Sequence, residues 1–348
     1  MDISYHHLRL PRKRFEISTG VRESAEVFIV EVAHGSFRGI GSGTPATSYG
    51  DSVKKCEKAL AKAGNYAVDP DTYFEDEMSE EIREISPSAA AAIDIAFWDI
   101  RAKMDGLSVA AALGGSLRGI PTDRTIDLMK PADAGREAAS LVGEGFKSIK
   151  VKVGVSLADD IERIRAVRNA AGSGARIFID ANGGYDVENA AKLWDKVADL
   201  EIDFFEQPVP QDMLEGLASL RARGIKVCAD ESFIDEETLD RIIEMDAADM
   251  INIKLMKCGG ITTAIRLSDI AGNAGLGAMV GCMGDIGISI TAAAHLVCSI
   301  DPHQADLDSH LSIEPICDGP AVIRGDLSLR DKPGIGVGLI EGWQRWRA

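Results

Sequence analysis

RIFIDANGGYDVENAAKLWDKVADLEIDFFE, residues 176–206, reads as one strand–helix–strand unit. RIFID and DFFE are short apolar runs suited to buried parallel strands, and the stretch between them is helical in pattern. Each strand closes on a carboxylate, Asp180 and Glu206. The same unit recurs on both sides. Strand ends fall at Asp127 (TDRTID), Lys152 (SIKVK), Asp180, Glu206, Asp230 (KVCAD), Lys254 (INIK), Gly281 (AMVG) and Asp306 (HQAD). Subtracting successive positions gives steps of 25, 28, 26, 24, 24, 27 and 25 residues. That is the length of a βα unit, and eight of them close a barrel. A doubly wound sheet also alternates strand and helix, but rarely in eight such even steps. The fold class is therefore α/β, a TIM-type (β/α)-barrel.

The N-terminal third has a different texture. Residues 1–43 read as strands and turns, with VFIVEVAHGSFRGIGSG as a meander. DSVKKCEKALAKAG and SPSAAAAIDIAFWDIRAKMDG are helical, the second starting at Ser86-Pro87 and stopping at Gly106. This defines an α+β domain over residues 1–118, followed by the barrel at 119–319. A tail at 320–348 is expected to pack back on the first domain, since a barrel that ends on its eighth strand leaves it no partner.

The bulk composition narrows the functions. With 45% hydrophobic residues the chain can bury a large core. A net charge of -17 repels phosphate backbones and anionic lipids, so no nucleic-acid or membrane partner is expected. No run of about 18 apolar residues is present, and the first residues lack the apolar core of a signal peptide. The six cysteines are scattered without a CxxC pair, which suits reduced thiols in the cytoplasm. The sequence leaves room for a homo-oligomer.

The chemistry lies at the strand ends. In a TIM barrel the C-terminal ends of the strands meet at one mouth. Here seven of the eight end on a charged residue. Asp180, Glu206 and Asp230 lie on consecutive strands. Singly, each could do no more than cap the helix that follows it. Together they repel one another unless a cation lies between them, and hard oxygen ligands suit Mg²⁺. Strand alternation turns Glu231 away from the mouth, behind Asp230. Lys150 and Lys152, two apart, face the same side of their strand. Lys254 sits on the opposite flank of the three carboxylates. A lysine crowded by another cation, or desolvated, has a lowered pKa and works as a base at neutral pH. Two bases on opposite faces of a substrate with a metal-held carboxylate can remove an α-proton on one side and return it on the other. Lys or His bases working beside Mg²⁺ in this way are characteristic of the enolase superfamily.

The motifs resemble that superfamily as well. AAIDIAFWDI at 91–100, LGG at 113–115, KVK at 150–152, FIDANGGY at 178–185, FFEQPVP at 204–210, ADES at 229–232 and INIKLMKCGG at 251–260 resemble its muconate-lactonizing subgroup over nearly the whole chain. The resemblance implies a modified (β/α)7β barrel whose mouth is covered by loops of an N-terminal capping domain. It implies one Mg²⁺ per subunit on Asp180, Glu206 and Asp230, with Lys152 and Lys254 as the acid/base pair and Lys150 near the bound carboxylate. The subgroup holds cycloisomerases, o-succinylbenzoate synthases, N-succinylamino acid racemases and dipeptide epimerases.

The eighth strand separates these. ADLDSH puts Asp306 and Asp308 on one face, which suits a substrate with an ammonium group and not a succinyl dianion. The pair resembles the DxD motif of dipeptide epimerases, which holds the free N-terminus; L-Ala-D/L-Glu is the family default. The alternative role for Asp308 is to cap a turn with Ser309. Arg22 in the capping loop is the candidate for an acidic side chain. Asp127 and Asp285 point instead to a cationic or polar one. A non-catalytic ligand-binding barrel finds no support, since all five metal and lysine positions are filled.

Overall fold

The computed structural model describes residues 2–17, 20–66 and 77–348. The chain opens with an antiparallel sheet of β1 (Asp2–Ile17), β2 (Gly20–His34) and β3 (Phe37–Gly43), in that order. Three helices cover it: α1 (Val53–Ala63), α2 (Glu77–Ile85) and α3 (Pro87–Asp105). Ser86 caps α3 by accepting from the Ala89 N–H, Pro87 takes the first turn, and Gly106 ends it in the left-handed region. The alanines of α3 have a packing reason. A Cβ on Gly41 would lie 1.9 Å from Ala92 O, and one on Gly39 would lie 2.0 Å from Ala96 O. Glycine on the strand and alanine on the helix let the two backbones meet.

A short helix, α4 (Val109–Ala112), and a two-residue strand, β4 (Ile120–Pro121), lead into the barrel. Its strands and helices then alternate: β5 (Arg124–Ile126), α5 (Pro131–Glu144), β6 (Ser148–Lys152), α6 (Leu157–Ala171), β7 (Arg176–Asp180), α7 (Val187–Lys196), β8 (Ile202–Glu206), α8 (Leu214–Ala222) and β9 (Val227–Ala229). They continue as α9 (Glu236–Glu244), β10 (Met250–Ile253), α10 (Leu255–Cys258), α11 (Ile261–Asn273), β11 (Gly277–Val280), α12 (Gly287–Ile300) and β12 (Gln304–Ala305). The eight strands β5 to β12 pair in sequence order and in parallel. A parallel bridge between Thr122 and Ala305 joins the two edges, so the sheet closes into the TIM-type barrel.

After β12 the chain forms a hairpin, β13 (Ala321–Ile323) and β14 (Asp326–Ser328), which pairs with β4. It then runs to the first sheet, where the Ala348 N–H donates to His7 O. Inside the barrel, Phe178, Phe204, Cys228, Met250 and Met279 form a separate apolar cluster. These residues precede the strand ends Asp180, Glu206, Asp230, Lys254 and Gly281 by two or four positions, so they share the inward face and form an apolar floor under the mouth.

Of the two aspartates of AAIDIAFWDI, Asp94 ties α3 to the barrel and Asp99 ties it to β3 and the C-terminal tail. Asp94 of α3 accepts from the Ile261 and Thr262 N–H groups at the start of α11 (2.6 and 3.2 Å) and from the Thr262 hydroxyl (2.5 Å). Burial pushes its carboxyl up to about 7 against those hydrogen bonds. Asp99 accepts from the Ile40 and Ile335 N–H groups and from Lys103. Asp94→Ala strands one buried and one half-buried N–H group of a helix start, and it is expected to lower unfolding free energy by about 2–4 kcal/mol. Urea denaturation checks this; a change below about 0.5 kcal/mol would mean that the helix start finds other partners.

Candidate active site

Lys150 and Lys152 of β6, Lys254 after β10 and Asp306 after β12 line a cavity of about 910 Å³, roofed by the β1–β2 hairpin and the segment after β3. Asp180, Glu206 and Asp230 are fully buried behind these lysines and do not line the cavity themselves. Lys150 Nζ lies 2.9 Å from Asp180 Oδ2, 2.8 Å from Glu206 Oε2 and 2.9 Å from Asp306 Oδ2. Lys152 donates to Asp180 Oδ2 (2.5 Å) and Asn182 Oδ1 (2.9 Å). Across the mouth, Lys254 donates to Asp230 Oδ2 at 2.6 Å and Lys257 to Asp230 Oδ1 at 2.7 Å. Tyr49, reaching down from the capping domain, donates its hydroxyl to Asp230 Oδ2 at 2.9 Å. Lys152 and Lys254 thus stand on opposite flanks of one carboxylate cluster, four strands apart.

The charges explain one another. Burial would raise the Asp180 carboxyl, but Lys150 and Lys152 overcome that and hold it down at about 2. Glu206 goes the other way: burial, then the Asp180 charge, push it up to about 7. Burial alone favours a neutral Lys254, yet Asp230, Tyr49 and Glu206 outweigh it and hold the ammonium well above the ordinary lysine range. Lys150 is raised in the same way by Asp180, Asp306 and Glu206. The lowered lysine expected of a base is found at Lys257, where burial wins. For Lys254 to lose its proton, another cation would have to take up the carboxylate charge.

Three fully buried carboxylates fit such a cation. Asn252 donates to Glu206 Oε1 at 2.8 Å, while Glu206 Oε2 is buried without a well-angled hydrogen bond. All-oxygen donors of this charge suit Mg²⁺. The lysines draw Asp180 toward β6 and Asp230 toward α10, so the three do not close to within 4.8 Å of one another; among the described residues Cys282, Asp306 and Asp308 do. Donor chemistry decides over spacing here, because each of the outer two carboxylates is held by lysine. Gly281, the one uncharged strand end, also has its reason. A Cβ there would lie 2.4 Å from Asn252 Oδ1.

Asp306 and Asp308 both line the cavity. Asp308 accepts from the Thr125 N–H (2.9 Å) and from Arg124 (3.1 Å). Asp127 lines the cavity too, but its Oδ2 accepts from the Glu16 N–H at 3.2 Å, which ties the capping hairpin to the barrel. Asp285 departs from the sequence expectation. It is 4% exposed, does not line the cavity, and turns back to accept from the Met283 N–H at 2.7 Å. A two-residue turn at the end of β11 lets it close its own loop. Arg22 lies on β2 opposite Phe15; its side chain lies outside those described. Glu231 does not turn away from the mouth. β9 ends at Ala229, so alternation no longer governs it, and it lines the cavity, accepting from Asn182 Nδ2 at 3.0 Å.

The N-terminal-domain model of the mandelate racemase / muconate lactonizing enzyme family matches residues 2–114, and the enolase C-terminal domain-like model matches residues 133–343. The chain belongs to the mandelate racemase / muconate lactonizing enzyme family. The resemblance carried by the motifs therefore holds. A hydrophobic dipeptide epimerase of Enterococcus faecalis (strain ATCC 700802 / V583) is 33% identical over 354 residues, covering 98% of this chain and 99% of that protein. The crystal structure of the dipeptide epimerase from Enterococcus faecalis V583, complexed with Mg and the dipeptide L-Leu-L-Tyr, superposes with a TM-score of 0.92 at 32% identity, covering 97% of this chain and 99% of that one. An N-succinyl Arg/Lys racemase from Bacillus cereus reaches the same TM-score at 28% identity, covering 100% of this chain and 98% of that one. Proteins of this fold thus include both a dipeptide epimerase and an N-succinyl Arg/Lys racemase.

Proposed function

We propose that the protein is a Mg²⁺-dependent dipeptide epimerase, an isomerase that inverts the α-carbon of a dipeptide's C-terminal residue. The observation that carries this is the Asp306/Asp308 pair, lining the cavity beside the lysine-flanked carboxylates. A substrate spanning both ends carries a carboxylate at one and an ammonium group at the other. A dipeptide has both.

Asp180, Glu206 and Asp230 would hold one Mg²⁺ per subunit. When bound, the ion supplies positive charge that makes the α-proton of a carboxylate substrate more acidic. The chain's own residues do the rest. With the carboxylate charge taken up, Lys254 loses the partners that hold its ammonium; of Lys152 and Lys254, one takes the α-proton while the other returns a proton from the opposite face. Lys150 balances charge beneath the substrate carboxylate. Asn182 orients Lys152, and Tyr49 with Lys257 orients Asp230. The capping hairpin, tied down by Asp127, excludes water. Six free cysteines, five of them buried, suit a cytoplasmic protein.

Incubation of an L-Xaa-L-Yaa library with protein and Mg²⁺, followed by chiral separation, tests the reading. A D-residue is expected at the second position only; N-succinylamino acids racemised in preference to dipeptides would favour the other reading. Asp306→Ala and Asp308→Ala separate the two further. Each is expected to raise KM for free-amine dipeptides by about tenfold or more, the worth of a charge-assisted hydrogen bond. Neither should raise KM for an N-succinyl amino acid.

A further inference from the structure

Directly behind the amine end of the cavity lies a carboxylate that no step above uses. Asp123 precedes β5 and is fully buried, and neither of its oxygens finds a hydrogen-bond partner. It stands two residues before Thr125, which lines the cavity, and its N–H donates to Ala305 O, next to Asp306.

The cation whose charge reaches it, Lys150, is committed elsewhere. Lys150, from β6, donates to Asp306 and is ion-paired with Asp180 and Glu206 as well. Arg124, on the same strand, serves Asp308 and Ser312. Ser148 and Gln304 bond each other. Cys282, after β11, feels Asp306 and Asp308 but carries no positive charge. Three carboxylates, Asp123, Asp306 and Asp308, therefore share Arg124 and a fraction of Lys150. This end of the site is more than one positive charge short, and a buried carboxylate without a counter-charge holds a proton. Burial, then Asp306 and Asp308, push Asp123 well above the ordinary carboxylate range.

We propose that Asp123 is a specificity-determining residue for the substrate's free amine: its carboxyl carries a proton in the amine-free protein and gives it up when an ammonium group settles beside Asp306 and Asp308. The O–H bond of Asp123 breaks, the proton passes to solvent, and the bound ammonium then faces a third negative charge. A neutral or acylated N-terminus brings no charge and leaves the proton in place. Binding of the correct substrate thus completes the site that prefers it. This inference rests on the dipeptide reading above.

Two measurements test it, both with Mg²⁺ present. The probes are the best dipeptide of the library and its isostere with a hydroxyl in place of the N-terminal amine. Titration calorimetry in buffers of different ionisation enthalpy counts protons. At pH about 6, where the free dipeptide's amine is already protonated, the wild-type protein is expected to release about one more proton with the dipeptide than with the isostere. Lysine contributions cancel, because the reacting ends are identical. In Asp123→Asn that difference disappears, and the preference in kcat/KM for the dipeptide over the isostere falls by about tenfold or more. A residue with only a packing role would lower both substrates alike and leave the ratio intact, which overturns the proposal. Equal proton release from the two probes in the wild-type protein also overturns it, and that result does not depend on the variant folding. If neither probe is turned over, the dipeptide reading has failed. If both are, with no change in the ratio, only the role of Asp123 has.

Discussion

Replacing Lys254 with alanine is expected to lower epimerisation by about 10³-fold or more, the scale of a lost general acid/base, and so is replacing Lys152. The two losses should differ in kind. Each lysine faces one side of the substrate's α-carbon, so each variant retains one base. A variant that keeps only Lys152 can still exchange the α-proton of the epimer whose proton points to β6. A variant that keeps only Lys254 exchanges the other epimer. Neither completes the inversion, because no proton arrives from the opposite side. Incubating each variant with each epimer in D₂O, followed by mass detection, checks the complementary pattern. If one variant exchanges both epimers, or both exchange the same one, the lysines do not stand on opposite faces. Lys257 is the control against a simple charge effect. It bonds Asp230 from beneath and does not line the cavity, so Lys257→Ala should not exchange one epimer selectively.

Asp230→Ala is the second large effect, and here stability changes with activity. Asp230 is fully buried and accepts from Lys254, Lys257 and Tyr49 at once. Removing it leaves two buried ammonium groups without their anion. Breaking a buried pair from one side costs about 3–5 kcal/mol, and that loss is expected in denaturant unfolding. The same change removes one of three metal donors. In the wild-type protein Mg²⁺ should raise the thermal midpoint in proportion to its occupancy; in Asp230→Ala that rise should vanish. A variant as stable as the wild type, still stabilised by Mg²⁺, would place the metal elsewhere.

The barrel was legible because its signal repeats. RIFID and DFFE fix one unit, and the spacing of the other strand ends leaves little choice of topology. The inward direction of Lys150 and Lys152 was legible for the same reason, since alternation holds inside a strand; Asp306 and Asp308 reach the cavity as expected although β12 ends at Ala305. Legibility stops where strands stop. Glu231 lies beyond the end of β9 and Asp285 beyond the end of β11, and a turn sends each side chain where alternation does not predict. Lys257 was within reach of the sequence: it is three residues after Lys254 on one helical turn, and shares a face with it. Tyr49 was not, because 181 residues separate it from its partner Asp230, and only the packing of the two domains brings them together. The raised lysine values have a similar origin. They depend on how many carboxylates each ammonium must serve, which the strand ends suggest and only the assembled cavity sets.

The most direct test of the central claim is deuterium incorporation by the wild-type protein. An L-Xaa-L-Yaa library in D₂O with Mg²⁺, followed by proton NMR and mass spectrometry, should show one deuterium entering the α-position of the C-terminal residue while the D-epimer accumulates. The N-terminal residue should stay unlabelled, and a chelator should stop the exchange. No α-deuterium in any dipeptide, or exchange that continues without a divalent metal, would contradict a two-lysine, metal-assisted proton transfer at this site.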